Sequence, residues 1–275
     1  MRETLLLDMQ KHEAAYFCHG MPGSEHDAQL LGQIDDRVCL IAPNLLHLCS
    51  ADLTAGVLKG FDTATRDFAD GTVNAVGFSI GAMVAIKIAA ARPNRVGRLT
   101  LISPAAPLSL GNFLPDLAGQ QVFKLAKKHP PALKLLTAGQ GALSYFAPDF
   151  LIKQLFAKCG EAERKLIDDP AFRDILKQGF ANSFRRHPDA YMGFVRSYVE
   201  DWSADLNSVT CPVELWHGVQ DTWSPITMSE ALCKGISGPS TLHTVQGTEH
   251  YSTLSKVCLN PLNPEEQTSS QSGLS

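Results

Sequence analysis

Residues 73–91 read VNAVGFSIGAMVAIKIAAA, and this stretch decides how the rest of the chain is interpreted. Residues 73–78 are apolar or small and predict a buried strand, whereas the following run of Ala, Ile, Met and Val predicts a buried helix. Ser79 stands between Gly77 and Gly81, where the strand passes into the helix. A serine at such a sharp turn projects its hydroxyl clear of the sheet, and side chains in place of the glycines would collide with neighbouring backbone. Ser79 is therefore a candidate nucleophile.

Short apolar runs alternate with helical patterns on both sides of this stretch, which predicts a mostly parallel sheet flanked by helices. Roughly a hundred helical residues interrupt the alternation after the run at 98–103 and predict an inserted helical cap. We therefore divide the chain into a core of residues 1–107 and 205–260, a cap of residues 108–204 and a polar, disordered tail of residues 261–275. Besides residues 73–78, the predicted strands are residues 14–18, 37–42, 98–103, 213–217 and 241–245.

Composition narrows the classes of function. The chain has 275 residues, of which 44% are hydrophobic, and a net charge of −4, so no clustered basic surface for nucleic acid is expected. Apolar runs are too short for a membrane segment. The first residues do not resemble a signal peptide, and the seven cysteines form no CxxC pair, which favours free thiols and a cytoplasmic protein. Histidine and cysteine spacings match no metal site.

A serine hydroxyl is a poor nucleophile at neutral pH and needs a neighbouring base. Two segments late in the chain can supply one: residues 213–221, VELWHGVQD, and residues 247–250, GTEH. Asp221 and His250 each follow a predicted strand, and the carboxyl ends of parallel strands are where open sheets place their ligands. The order Ser, Asp, His along the chain predicts Ser79 as nucleophile, His250 as base and Asp221 as its orienting acid. Alternatively, Asp221 caps a turn and His250 is a surface histidine.

Attack on a carbonyl also needs two backbone N–H groups that already point at the developing oxyanion. The N–H of Ile80, directly after Ser79, is one candidate. The second is expected in the loop after the first strand, where residues 19–24 read HGMPGS and Gly20 would let the backbone approach a substrate. We select the N–H of Met21. A tight turn without a catalytic role is the alternative for this loop.

Together these motifs resemble the α/β-hydrolase superfamily, in the branch with a helical cap between strands six and seven. The resemblance rests on residues 19–23 (HGMPG), 77–81 (GFSIG), 216–221 (WHGVQD) and 247–250 (GTEH). It implies acyl transfer by a Ser–His–Asp triad without a cofactor, and a cap that selects the substrate. The chain departs from the family pattern in an abbreviated N-terminal hairpin and in prolines that interrupt the closing helix.

The predicted function is therefore hydrolysis of a carboxylic ester or related acyl bond through an acyl-enzyme. Spare apolar residues in the predicted cap favour a small-molecule substrate with an apolar acyl group. A carbon–carbon bond hydrolase acting on a vinylogous diketone, or a thioesterase, would use the same triad. A non-catalytic ligand-binding protein on this fold is the alternative from another class. The apolar cap residues are Phe113, Leu114, Phe123, Leu133, Leu136, Phe146, Phe150, Leu155 and Phe156.

Overall fold

A six-stranded parallel sheet forms the centre of the molecule in a computed structural model, which describes residues 13–50, 52–68 and 71–261. The strands are β1 (Glu13–Cys18), β2 (Val38–Ile41), β3 (Val73–Phe78), β4 (Val96–Ile102), β5 (Val213–Gly218) and β6 (Ser240–Val245). Their order across the sheet is β2-β1-β3-β4-β5-β6, and every neighbouring pair is parallel. The predicted parallel sheet flanked by helices is confirmed.

Burial along the strands explains their composition. All residues of β3 and β4 are buried, so these strands carry near-continuous apolar runs, as strands covered on both faces do. The edge strands β2 and β6 are only half-buried, and β6 includes polar residues such as Ser240 and Thr241. The sequence signal was therefore strongest at the centre of the sheet.

Helices cover the sheet. Three α-helices accompany the strands: α1 (Leu53–Ala64), α2 (Gly81–Ala91) and α9 (Thr227–Gly235). Between β4 and β5 the described elements are all helical, and we call residues 108–208 the helical insertion. Its α-helices are α3 (Gln120–Lys128), α4 (Pro130–Phe146), α5 (Pro148–Leu155), α6 (Glu161–Asp168), α7 (Pro170–Ala181) and α8 (Pro188–Val199), with a π-helical turn (Asn182–Arg186) joining the last two.

The sheet has a reversal of strand order at its centre. From β1 the chain moves outward to β2 and then crosses to β3 on the other side of β1. In open α/β sheets a ligand crevice forms at such a point, outside the carboxyl ends of the two diverging strands. Here those ends carry His19 after β1 and Ser79 after β3.

Two sequence predictions fall on the ends of the chain. The abbreviated hairpin before residue 14 and the disordered tail lie outside the described residues, apart from residues 13 and 261. After His250 the described chain forms a 3-10 turn at Leu254–Lys256, and Leu259 then bridges to Ile34. Among the described helices, none is long and apolar enough to cross a membrane.

Gly81 allows α2 to lie directly on the end of β1. A Cβ at this position would lie 2.5 Å from the carbonyl oxygen of His19 and would also overlap that of Cys18. Gly81→Ala should therefore lower the free energy of unfolding by about 1–3 kcal/mol, since backbone must move. Gly139→Ala is the matched control, because nothing lies within 4 Å of the added Cβ on α4. Gly139→Ala should raise the free energy of unfolding by about 0.5–1 kcal/mol, because alanine favours the helix more than glycine does. Urea unfolding of both variants measures the difference between their free energies of unfolding. Equal changes in the two variants would contradict the close approach of α2 to the end of β1.

Candidate active site

Ser79 directly follows β3 and has a φ angle of 56°, a backbone conformation that residues other than glycine rarely adopt. Its N–H donates to the carbonyl of Ile102, and its own carbonyl accepts from the N–H groups of Ala82 and Ala105, each at 3.1 Å. A Cβ on Gly77 would lie 2.6 Å from the Cα of Ala82, so glycine is required there. Strain at a single residue that its neighbours secure is typical of functional sites.

Asp221 and His250 form a buried pair. Nδ1 of His250 donates to Oδ2 of Asp221 at 2.8 Å, and their side chains are 1% and 0% exposed. The other carboxylate oxygen accepts the N–H groups of Trp223 at 2.7 Å and Ser224 at 2.9 Å. Burial alone would raise the pKa of Asp221, but the charge of His250 and these hydrogen bonds hold the pKa below its ordinary value. The carboxylate is thus ionised at neutral pH and fixes the orientation of the imidazole.

Ser79 lies beside this pair without a hydrogen bond to it. Among the described residues, the Ser79 hydroxyl has no hydrogen-bond partner. The His250 ring packs on Phe78, the residue before Ser79, with 4.9 Å between ring centroids. In sites without substrate the hydrogen bond between nucleophile and base is often long and tightens on binding. The structure therefore brings Asp221 and His250 into contact and places Ser79 next to the residue on which the imidazole packs.

The two predicted donor N–H groups are both available. The N–H groups of Met21 and Ile80 donate to no acceptor among the described residues, and both residues line the same cavity as Ser79. Buried backbone N–H groups are nearly always paired, so two free ones beside one hydroxyl are unusual. Gly20 directly precedes Met21, and a Cβ on Gly20 would lie 3.3 Å from the Cβ of Ser79. The glycine permits the close approach of this loop.

His19 fixes the start of the loop that carries Met21. Its Nε2 accepts the N–H of Leu45 at 3.0 Å, so the ring proton is on Nδ1, which donates to the carbonyl of Gly20 at 2.9 Å. Burial lowers the pKa of His19 to about 4, and the ring is neutral at pH 7. A neutral ring can both accept and donate, which is what these two contacts require.

The π-helical turn of the helical insertion holds the same loop from the other side. Ser183 Oγ accepts the N–H of Gly23 at 3.1 Å, and Asn182 Nδ2 donates to the carbonyl of Gly23 at 3.0 Å. Asn182 also exchanges side-chain hydrogen bonds with Asn44, which follows β2. Sequence reasoning missed these residues, because about 160 residues separate the two partners. Isolated π-turns occur frequently at functional sites.

A second set of contacts joins the helical insertion to the segment that carries His250. Glu249 accepts the N–H groups of Gly160 at 2.7 Å and Glu163 at 3.3 Å, at the start of α6. In return, Glu163 accepts the N–H of Ser252 at 2.9 Å and its hydroxyl at 3.0 Å. Burial is the main cause of a raised pKa at Glu163. No motif in the sequence marks Glu163, whose only signal is its position in the first turn of a helix.

Trp223 and Ser103 also contact His250 and were missed from the sequence. The Trp223 indole stacks on the imidazole, with 5.3 Å between centroids and 20° between planes. Its Nε1 donates to Sγ of Cys159 at 3.2 Å, which ties the ring to the helical insertion. The hydroxyl of Ser103 donates to the main-chain carbonyl of His250 at 3.0 Å. Together these contacts hold the imidazole in one orientation.

His217 is the other histidine close to the acid. It is completely buried, its Nε2 donates to the carbonyl of Ser224 at 2.9 Å, and its Nδ1 pairs with the Ser229 hydroxyl at 2.7 Å. Both ring nitrogens are therefore occupied, and burial lowers the pKa of this histidine. His217 secures the turn that carries Asp221.

A cavity of about 520 Å³ opens above Ser79. Met21, Ile80 and Ser79 line it, and most of its other lining residues come from the helical insertion. Of the apolar residues that suggested an acyl pocket, Phe123 and Leu155 line it, whereas Phe146 and Phe150 are 82% and 52% exposed on the surface. The other large apolar and aromatic side chains of its wall are Leu117, Val122, Phe184, Tyr191, Val195, Tyr198 and Trp223.

Asp27 lies beneath the loop of residues 20–24 and is only 2% exposed, with Oδ2 unpaired among the described residues. Burial raises its pKa to about 8, against a value near 4 in an unfolded chain. Between about pH 4 and 8 the folded protein therefore binds more protons at this group than the unfolded chain, and stability falls as pH rises.

Asp27→Asn should remove the fall in stability with rising pH that Asp27 causes, because an amide stays neutral. Relative to the wild type, the variant should gain at least about 1 kcal/mol of unfolding free energy between pH 5 and pH 8. Urea unfolding at several pH values measures it, with Asp36→Asn as control for the same change of charge at an exposed position. If the free energy of unfolding varies with pH in the same way for Asp27→Asn and the wild type, the raised pKa of Asp27 is contradicted.

Comparison with solved structures agrees with this architecture. The Burkholderia cenocepacia protein Cfl2 is 17% identical, with a TM-score of 0.67 over 95% of this chain and 86% of that one. The 2-hydroxy-6-oxo-6-phenylhexa-2,4-dienoate hydrolase of a Rhodococcus strain is 17% identical, with a TM-score of 0.61 over 90% and 87%. A thermophilic esterase from Thermogutta terrifontis is 16% identical, with a TM-score of 0.56 over 95% and 88%. At these identities the likeness shows the fold alone.

Sequence comparison identifies the family. No curated protein sequence matches the chain directly. The family model described as the alpha/beta hydrolase family matches residues 15–256, which include most of β1, all of β2 through β6 and the segment around His250. Both this match and the parallel sheet with its strand-to-helix serine point the same way: the chain belongs to the alpha/beta hydrolase family.

Proposed function

We propose that this protein is a serine hydrolase that cleaves carboxylic esters through an acyl-enzyme on Ser79. The observation that carries the proposal is the buried 2.8 Å hydrogen bond between His250 and Asp221, together with the packing of the His250 imidazole on Phe78, the residue before Ser79. An ionised acid that holds an imidazole by Nδ1–H leaves Nε2 to exchange the proton with the nucleophile. A purely structural pair would not need the strained serine beside it.

In the proposed reaction, Nε2 of His250 takes the hydroxyl proton as Ser79 Oγ attacks the ester carbonyl carbon. The N–H groups of Met21 and Ile80 donate to the oxyanion that forms. The tetrahedral intermediate collapses, the C–O bond to the alcohol breaks, and His250 returns its proton to the departing alcohol. Water then attacks the acyl-enzyme with the same base, which releases the acid and restores Ser79. Asp221 stabilises the imidazolium at both steps.

The lining of the cavity supports a neutral substrate. Only Asp116 and Lys158 among the lining residues carry a formal charge, and both are exposed at the surface. The similar Rhodococcus enzyme is named for a dienoate, which carries a carboxylate. An enclosed anion would need a buried cation, whereas the cation of this lining, Lys158, is exposed at the surface. We therefore rank ester hydrolysis above carbon–carbon bond cleavage, and propose residues 108–204 as the cap that shapes the site.

Labelling with a fluorophosphonate probe tests the proposal. The wild type should be labelled at Ser79, as read by mass spectrometry of the modified peptide, and Ser79→Ala and His250→Ala should not be labelled. Ser109→Ala is the control, because Ser109 is an exposed serine outside the cavity lining. A folded wild type that stays unlabelled while a reference hydrolase reacts would reject the activated serine and favour a ligand-binding role.

A further inference from the structure

One face of α8 lines the cavity with Tyr191, Val195 and Tyr198, which recur at helical spacing. The two tyrosines differ in what their hydroxyls contact. The hydroxyl of Tyr198 donates to the carbonyl of Ala106 at 3.2 Å. Tyr191 is 2% exposed, and its hydroxyl has no hydrogen-bond partner among the described residues. Burial raises the pKa of Tyr191 well above its ordinary value, so the hydroxyl is a neutral donor and acceptor.

Gln140 on α4 is a second polar residue of the cavity wall without a partner. Its Oε1 is buried and makes no hydrogen bond to any described residue. α4 and α8 pack against one another, so Gln140 and Tyr191 face the cavity from adjacent helices. Other buried unpaired polar atoms, such as those of Thr137 and Tyr16, belong to residues that do not line this cavity.

A buried polar group without a partner costs about 1–3 kcal/mol, so such groups are rare unless a ligand satisfies them. Oε1 of Gln140 is such an atom, and the hydroxyl of Tyr191, which also has no partner among the described residues, belongs to the wall of the same cavity. Together they indicate a substrate that hydrogen-bonds there. The carboxamide of Gln140 and the hydroxyl of Tyr191 can each donate or accept, and neither is charged. A secondary amide is a neutral group that supplies both a carbonyl acceptor and an N–H donor within one short unit, and it can lie within an acyl chain.

We propose that Tyr191 and Gln140 form a polar subsite that binds a secondary amide in the acyl part of the substrate, so that the preferred substrates are esters of acylamino acids. The inference rests on the proposed ester hydrolysis at Ser79. The amide is bound and not cleaved, and water and the ester yield the acylamino acid and the alcohol. The ring of Phe184, 5.1 Å from that of Tyr191, supplies an apolar surface beside the subsite.

Matched substrates test the subsite. The ethyl esters of N-acetylglycine, N-acetyl-β-alanine and N-acetyl-4-aminobutyrate are compared with ethyl alkanoates of equal chain length by titration of the released acid. Tyr191→Phe and Gln140→Met should each lower kcat/KM by about tenfold for the preferred amide ester and by less than about twofold for its alkanoate. Because each variant is compared with the wild type on the same ester, differences in intrinsic reactivity between the esters cancel.

Tyr16→Phe and Thr137→Val are the controls, since each removes a buried unpaired hydroxyl outside the cavity lining. Both should keep the wild-type preference for the amide ester. Equal losses on amide and alkanoate esters, or no loss, would overturn the subsite while ester hydrolysis stands. If the wild type hydrolyses none of the six esters but reacts with the fluorophosphonate, the amide-ester assignment fails alone. If it does neither, the proposed function fails with it.

Discussion

Ser79→Ala and His250→Ala should each lower kcat for an ester such as p-nitrophenyl butyrate by roughly 10⁴-fold or more, and the double variant should be no slower than the slower single variant. Nucleophile and base act as one unit, so once either is lost the other contributes nothing further. The remaining rate would come from substrate binding and from the N–H groups of Met21 and Ile80.

Initial-rate kinetics on the three variants measures this non-additivity. Ser79→Ala is expected to fold normally, because the hydroxyl makes no hydrogen bond to a described residue. His250→Ala leaves Asp221 buried without its partner, so its unfolding free energy is measured in parallel to separate lost stability from lost chemistry. Losses that multiply in the double variant would show that the two residues act independently, which the proposed mechanism does not allow.

Asp221→Asn should lower kcat by about 10³–10⁴-fold with little change in the fold. The remaining oxygen can still accept the N–H groups of Trp223 and Ser224, as Oδ1 does in the wild type. The amide nitrogen then faces Nδ1 of His250 in place of Oδ2. Because that nitrogen donates, the imidazole must accept at Nδ1 and carry its proton on Nε2, which can no longer take the proton of Ser79.

Stopped-flow or steady-state rates across pH 6–9 test this prediction, together with the near-UV circular dichroism of the folded variant. Gln220→Leu is a suitable control, since its side chain accepts the N–H of Gly247 in the same loop region without touching the pair. An Asp221→Asn enzyme that keeps more than about a tenth of the wild-type rate would exclude Asp221 as the residue that sets the tautomer.

The sheet could be predicted from the sequence because its signals are local. The predicted strand at residues 73–78 coincides with β3, and the other five predicted strands agree with the structure to within about two residues at each end. A buried parallel strand is a short apolar run, and each run here ends at glycine, proline or a polar turn. The spacing of apolar residues over 54–70 predicts a single helix, but in the structure α1 ends at Ala64 and a 3-10 turn follows at Arg66–Phe68.

The positions of Ser79, Asp221 and His250 also followed from local signals, because each residue lies within five residues of the end of a strand. Parallel strands carry such residues to one edge of the sheet whatever the connections between them. The N–H groups of Met21 and Ile80 were selected by the same reasoning. Their lack of partners, by contrast, is visible only in the folded chain.

The sequence by itself thus determined the fold class, the candidate triad and the loop expected to face it, since strand periodicity and turn glycines act over a few residues. Only the tertiary structure decided what surrounds them: Trp223 stacked on His250, Asn182 holding Gly23, and Tyr191 unpaired in the cavity wall. These contacts join segments up to about 160 residues apart. They depend on how the helices of residues 108–208 pack, and no local pattern encodes which face of a helix meets which loop.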